Sequence, residues 1–141
     1  MAAGLPAGLP REAVRAILEV ASDRVHGASQ LAARAVEALR LASSAEAGSP
    51  SELLAKLRQA AAFMVEAKPS MAVLAGLTGR MLSELAGRLE SSSPSLESFR
   101  GMVGELADSL LAGYFEALRR AAENAAQTIS AYRAVLTCSY S

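Results

Sequence analysis

The stretch that decides the fold is SPSELLAKLRQAAAFMVEAKPSM, residues 49–71. Ser49, Pro50 and Glu52 have the spacing of a capping box with Pro at the first helical position, so they predict that a helix begins here. Pro69 disfavours helical geometry at Lys68 and predicts its end. Between these signals, apolar residues recur every three or four positions, which is the spacing of one helix face. The residues of that face are Leu53, Leu57, Ala60, Ala61 and Met64.

The same spacing predicts helices on both sides of this segment. Alanine, which loses no side-chain entropy in a helix, supplies much of the 52% hydrophobic content, whereas aromatic residues make up only 4%. Gly101, Gly104 and Gly113 leave open whether the last helical region is one helix or two. We therefore predict an all-α bundle of five to six helices. Besides the central helix, the expected segments run from about Pro10 to His26, from Ala28 to Leu41, from Ser70 to the serines at 91–93, and from Pro94 to Ile129.

The C-terminal residues have a different pattern. Residues 133–140, RAVLTCSY, contain β-branched and aromatic side chains, which favour a strand. A single strand is not stable alone. It would lead into an α/β domain absent from this chain, pair with another chain, or be disordered. The expected organisation is thus a helical bundle domain at 1–131, followed by a strand or tail at 132–141.

Composition excludes several classes of function. Fourteen basic and fourteen acidic residues give a net charge of zero, which argues against direct nucleic-acid binding. No stretch reaches the roughly 18 apolar residues of a membrane span, and no signal peptide is visible. A single cysteine fits a reducing cytoplasm. A single histidine argues against a Cys/His zinc site, and no Gly-rich phosphate loop follows a strand, so we expect no metal and no cofactor.

Two segments could bind an anion. His26, Gly27, Ala28 and Ser29 lie at the predicted start of the second helix, where free amides and the helix dipole attract negative charge. Lys68 could place a cation beside another helix N-terminus. The alternative for both segments is a plain turn, with Gly27 as a helix cap and His26 as a surface residue.

Three segments in this order resemble the translation initiation factor 2B alpha/beta/delta family, which is related to ribose-1,5-bisphosphate and methylthioribose-1-phosphate isomerases. Residues 25–32, VHGASQLA, are similar to the Arg-Gly-Ala segment that opens a helix in the isomerases. Residues 68–74, KPSMAVL, are similar to the family's Arg-Pro-Ser/Thr-Met-Ala-Pro segment. Residues 122–129 with 135–141, AENAAQTI and VLTCSYS, resemble the helix and first strand that lead into the nucleotide-binding-like domain.

The resemblance implies an N-terminal helical domain, a larger α/β domain after it, and assembly into homo-oligomers or with related subunits. It also identifies departures from the isomerases. Their strand reads Thr-His-Cys-Asn, with a catalytic cysteine. Aligned on Thr137, Ser139 occupies that nucleophile position and Cys138 the histidine position, although a one-residue slip would place Cys138 at the nucleophile. His26 replaces the phosphate-contacting arginine, and the catalytic aspartate belongs to the absent α/β domain.

Three functions follow from this resemblance. The first is a cytoplasmic, non-catalytic regulatory or binding module of the initiation factor 2B type, with initiation factor 2 or a phosphorylated small molecule as its partner. The second is a truncated or split sugar-phosphate aldose–ketose isomerase that needs its missing half. The third is a helical scaffold that shares only descent with the family. The departures above predict no enzymatic activity for the chain as it stands.

Overall fold

The computed structural model describes residues 4–137 and contains five helices there. They are α1 (Arg11–Ser22), α2 (Ala28–Ala42), α3 (Pro50–Ala67), α4 (Ala72–Ser92) and α5 (Leu96–Ile129). The predicted all-α class is confirmed, with five helices. None of the helices in the described part of the chain is both long and apolar enough to cross a membrane.

The start of α3 follows the predicted capping box closely. Ser49 Oγ accepts a hydrogen bond from the amide of Glu52 at 3.1 Å. The Glu52 carboxylate reaches back, but it accepts from the amide of Gly48 at 2.8 Å rather than from that of Ser49. Pro50 is the first helical residue, and the helix ends at Ala67, before Lys68. Local chemistry alone therefore determines both ends of this helix.

The core lies around α2, which packs against the four other helices. Seven of its fifteen residues are fully buried, and four of these are alanines, whose short side chains allow neighbouring helices to approach closely. The buried residues of α2 are Leu31, Ala32, Ala35, Val36, Ala38, Leu39 and Ala42. Thr78 is a buried polar residue of α4, and its hydroxyl donates to the carbonyl of Leu74 at 2.8 Å, so burial leaves no unpaired polar atom there.

α5 is one continuous helix of 34 residues, so the split that the glycines left open does not occur. At 1.5 Å per residue it is about 51 Å long. Only its first half belongs to the core, from Phe99 to Leu110. Every described residue from Phe115 to Thr137 is exposed, so the second half extends past the bundle. Ion pairs of Arg119 with Glu116 and Glu123, together with several alanines, favour the helical conformation without tertiary packing.

The predicted C-terminal strand is not observed at residues 133–137, the part of it that lies within the described residues. Residues 133–137 are exposed and form no strand, and the chain leaves α5 through a turn in which the amide of Tyr132 donates to the carbonyl of Ile129 at 3.0 Å. A strand needs a neighbouring strand to pair its backbone groups, and residues 4–137 contain no other strand. The structure therefore gives no support to a strand leading into a missing α/β domain. Cys138 to Tyr140, the rest of that prediction, lie outside the described residues.

Candidate anion-binding site

The turn between α1 and α2 is built by the side chain of Asp23. Its Oδ1 accepts hydrogen bonds from the amides of Val25 and His26, both at 2.8 Å. Asp side chains that bond the following backbone in this way compete with helical hydrogen bonding. This competition explains why α1 ends at Ser22, four residues earlier than the sequence pattern predicted. It also fixes His26 and Gly27 directly before α2.

Three basic side chains meet at the same aspartate. Asp23 Oδ2 lies 2.6 Å from His26 Nδ1 and 3.5 Å from Arg34 Nη1. Lys68, at the end of α3, donates from Nζ to the backbone carbonyl oxygen of Asp23. The Asp23 side chain is only 11% exposed, whereas that of Arg34 is 47% exposed. The carboxylate is thus covered while the guanidinium remains accessible to a ligand.

The charge state of Asp23 follows from these contacts. The backbone hydrogen bond from His26, the His26 side chain and the backbone hydrogen bond from Val25 lower the pKa of the Asp23 carboxyl far below its ordinary value. Asp23 is therefore ionised at neutral pH. Arg34 and Lys68 carry two formal positive charges against the one negative charge of Asp23, so the cluster has an excess positive charge without any contribution from His26.

The N-terminus of α2 opens beside this cluster. Gly27 is the N-cap and has no side chain to cap the helix. The first intrahelical hydrogen bond runs from the amide of Leu31 to the carbonyl of Gly27, at 3.1 Å. The amides of the preceding helical residues, 28–30, consequently precede the regular hydrogen-bonding pattern and carry the positive end of the helix dipole. Such a terminus favours an anion.

An open cleft of about 760 Å³ lies over the α1–α2 turn. Its volume falls within the range of small-molecule sites. One wall is the turn itself and the start of α2, and the other is the exposed half of α5. The cleft is lined by Val25, His26, Gly27, Ser29, Gln30, Phe115 and Leu118.

The structure places the predicted site residues as follows. His26, Gly27 and Ser29 line the cleft, and Ala28 is the first residue of α2. Lys68 was expected beside the N-terminus of the following helix, but its side chain contacts the α1–α2 turn through Asp23 instead. Ser139, at the position of the isomerase nucleophile, lies outside the described residues.

Two members of the cluster, Asp23 and Arg34, are not among the residues predicted from the sequence. Asp side chains often accept hydrogen bonds from backbone amides two or three residues later and so mark turns. Asp23, four residues before Gly27, could have been identified by that preference. Arg34 offered no such signal, because its contact with Asp23 depends on how α2 packs against the end of α1. Residues 4–137 hold no group of three His, Cys, Asp or Glu side chains that could bind a metal ion.

The comparisons with known proteins agree with the sequence resemblance. The model of the Initiation factor 2 subunit family matches residues 24–141, which include the α1–α2 turn after Asp23, α2 and all later helices. No curated protein and no solved structure matches the chain. The match covers more than four-fifths of the chain and confirms the predicted kinship. The chain therefore belongs to the initiation factor 2 subunit family.

Proposed function

We propose that this chain is a non-catalytic regulatory or binding module of the initiation factor 2B type, and that the edge formed by His26, Gly27, Ala28 and Ser29 binds the phosphate of a small phosphorylated ligand. The convergence of His26, Arg34 and Lys68 beside the uncapped N-terminus of α2 carries this proposal. The family assignment makes initiation factor 2 the expected protein partner, and the cytoplasm the expected location.

The hydrogen-bonding capacity of the cluster supports a phosphate ligand. A lysine ammonium has three N–H donors and an arginine guanidinium has five. Lys68 donates to the carbonyl oxygen of Asp23, whereas Arg34 forms an ion pair with the Asp23 carboxylate at 3.5 Å, so most of these donors remain for a ligand. The donors that remain, together with the amides at the start of α2, match the several acceptor oxygens of a phosphate. Asp23 would hold the basic groups in place without neutralising them completely.

The cleft, whose lining shares only His26 with the three basic residues, suggests a ligand larger than inorganic phosphate. Phe115 and Leu118 form an apolar wall opposite the α1–α2 turn, and Gln30 adds a polar side chain near the helix N-terminus. A sugar or nucleoside attached to the phosphate could contact both walls. We therefore favour a sugar phosphate or a nucleoside monophosphate as the ligand.

The non-catalytic part of the proposal rests on the side chains that line the cleft. Among the lining residues within 4–137 there is no carboxylate and no thiol, and His26 Nδ1 contacts Asp23 Oδ2. A split sugar-phosphate isomerase would need both an acid/base residue and a nucleophile from elsewhere. Nothing in the described part of the chain favours that second function.

Ligand-induced stabilisation tests the proposal. A ligand that binds only the folded state at 100 times its dissociation constant stabilises it by about 2.7 kcal/mol. Ribose 1,5-bisphosphate or a nucleoside monophosphate at millimolar concentration should raise the unfolding midpoint of the wild-type chain, whereas ribose should not. Arg34→Gln should reduce the shift. The matched control is Arg80→Gln, which removes an exposed arginine paired with Glu84 on α4 and should leave the shift unchanged.

Two results would contradict the proposal. One is the absence of any shift with either phosphorylated compound, which would favour a helical scaffold without a ligand. The other is an equal shift in the wild type and in Arg34→Gln, which would place any binding outside this cluster.

A further inference from the structure

His26 is the only histidine in the sequence, and its ring both contacts the Asp23 carboxylate and lines the cleft. The His26 side chain is 37% exposed, whereas that of Asp23 is 11% exposed. A ligand in the cleft would therefore meet the ring rather than the carboxylate. What the ring offers to such a ligand depends on which of its two nitrogen atoms carries a proton.

The contact with Asp23 determines the position of that proton. Nδ1 lies 2.6 Å from Asp23 Oδ2, which is a hydrogen-bond distance. The carboxylate accepts two backbone amides through its other oxygen and lies 3.5 Å from Arg34, so it is ionised and only accepts hydrogen bonds. The proton in the contact therefore belongs to Nδ1. A neutral imidazole has a single N–H, so its Nε2 is left with a lone pair.

The second ring nitrogen is accessible. Within residues 4–137, His26 Nε2 makes no hydrogen bond, and no buried side-chain nitrogen or oxygen atom in that part of the chain lacks a partner. It follows that Nε2 is not buried. Because the ring lines the cleft, Nε2 is the ring atom that remains for a ligand.

The surroundings of the ring contain few charges. His26 is the only titratable residue in the described lining of the cleft. On α5, Phe115 and Leu118 line the opposite wall, while Glu116 and Arg119 pair with each other. The charged side chains of the turn and of the helices beside it are Asp23, the exposed Arg24, Arg34 of α2 and Lys68 at the end of α3.

We propose that protonation of His26 controls the anion affinity of this site, and that Asp23 makes this control possible by fixing the tautomer of the neutral ring. The inference rests on the proposed function, because it concerns the same ligand. The neutral ring presents an acceptor, Nε2, which suits a hydroxyl group but not an ionised phosphate or sulfate group, whose oxygens are also acceptors. The protonated ring keeps Nδ1–H on Asp23 and donates Nε2–H to the anion.

Binding should therefore tighten as pH falls. Histidine side chains change charge between about pH 5 and pH 8, a range in which lysine and arginine side chains do not. A charge-assisted hydrogen bond gained at Nε2 corresponds to a gain in affinity of roughly tenfold or more. Linkage between two binding events is reciprocal, so a bound anion should in turn move the titration of the ring to higher pH.

Nitrogen NMR of the full chain tests the tautomer without any ligand. Because the chain has one histidine, its two ring signals belong to His26. At alkaline pH we expect Nδ1 to be protonated and Nε2 to be bare. Asp23→Asn places an amide donor opposite Nδ1, so the neutral ring should change to the Nε2–H tautomer. The matched control, Glu37→Gln, removes the carboxylate partner of Arg40 on α2 and should leave the tautomer unchanged. Circular dichroism checks that both variants are folded.

Affinities measured at about pH 5 and about pH 8 test the control of binding. The probes are adenosine 5′-monophosphate and adenosine 5′-sulfate. The phosphate monoester itself takes up a proton near pH of about 6, whereas the sulfate ester keeps one charge throughout, so the sulfate reports on the protein alone. The wild type should bind the sulfate roughly tenfold or more tightly at the lower pH, and His26→Gln should bind it equally at both.

The outcomes separate this inference from the proposed function. An Nε2–H tautomer in the wild type, or a sulfate affinity that is the same at both pH values, would refute the control by His26 and leave the proposed phosphate site standing. A pH dependence that His26→Gln retains would also refute it, because another group would then be responsible. Failure of both probes to bind at either pH would instead overturn the proposed function, and the control of that binding with it.

Discussion

Two phenylalanines on α5 allow a direct test of where the bundle ends. Phe99 is fully buried near the start of the helix, and Phe115, sixteen residues later, is 51% exposed. Replacing each by alanine makes the same chemical change on the same helix. The difference between the two variants therefore reports on tertiary packing, because the intrinsic helix propensity changes equally in both.

The magnitudes follow from burial. Truncating a fully buried phenylalanine removes its transfer free energy and leaves a cavity, which together cost about 3–5 kcal/mol. Phe115 is only half buried, and its ring contacts that of Tyr114 with centroids 5.9 Å apart. Its truncation should cost about 1 kcal/mol from lost apolar contact, offset by roughly 0.5 kcal/mol from the better helix propensity of alanine. The two variants should thus differ by at least about 2 kcal/mol.

Urea unfolding followed by circular dichroism measures this difference. With a denaturant slope of about 1–3 kcal/mol per molar urea, the midpoints of the two variants should be separated by roughly 1 M. The experiment is done at low protein concentration, so that association between chains does not contribute to the measured stability. Equal losses in the two variants under these conditions would show that the second half of α5 packs on the bundle, and the reasoning would be refuted.

Three further predictions concern the caps and the polar contacts of the bundle. Ser49→Ala removes the oxygen that accepts from the amide of Glu52 and should lower the free energy of unfolding by about 1 kcal/mol in urea titrations. Ser51→Ala, two residues later and inside α3, should change it by less than about 0.5 kcal/mol. The Asp23 carboxyl has a lowered pKa in the folded state, so its contribution to stability is present above pH of about 4 and is lost as pH falls below it. Asp23→Asn should accordingly lose less stability than the wild type as pH falls below about 4, and equal losses there would contradict the assignment. Arg100 donates to two carbonyls of the α2–α3 connection, at 3.0 and 2.8 Å, and Arg100→Met should cost about 2 kcal/mol in thermal or urea unfolding, whereas an unchanged midpoint would show that these bonds are replaced by water.

The sequence predicted those parts of the fold that local chemistry determines. The start of α3 depends on Ser49, Pro50 and Glu52, all within one turn, and its end depends on Pro69. The spacing of the apolar residues likewise predicted the helices whose apolar faces form the core. The prediction of a C-terminal strand was wrong because a strand depends on more than local chemistry. β-branched and aromatic residues favour a strand only where another strand can pair with it, and the described chain provides none.

The candidate site was predictable only in part, because its members come from distant positions. The segment from His26 to Ser29 was visible as a helix start, since Gly27 precedes the apolar face of α2. Lys68 is brought beside this segment by its hydrogen bond to the carbonyl of Asp23, 45 residues earlier in the sequence, and that bond results from how α3 packs beside α1. A hydrogen bond of this kind depends on the packed arrangement of the helices, and single-sequence periodicity does not contain that information.

Because α5 extends beyond the core, a small change in its direction displaces its C-terminal end by a larger distance. About 24 Å of rod separate Gly113 from Ile129, and this length lies beyond the last buried residue of the helix. A rotation of about 10° at Gly113 moves the tip by about 4 Å, so a slight adjustment where the rod meets the body becomes a displacement as large as an atom's diameter. A pair of spectroscopic labels, one on the body and one near the tip, would register such motion at a distance from its origin.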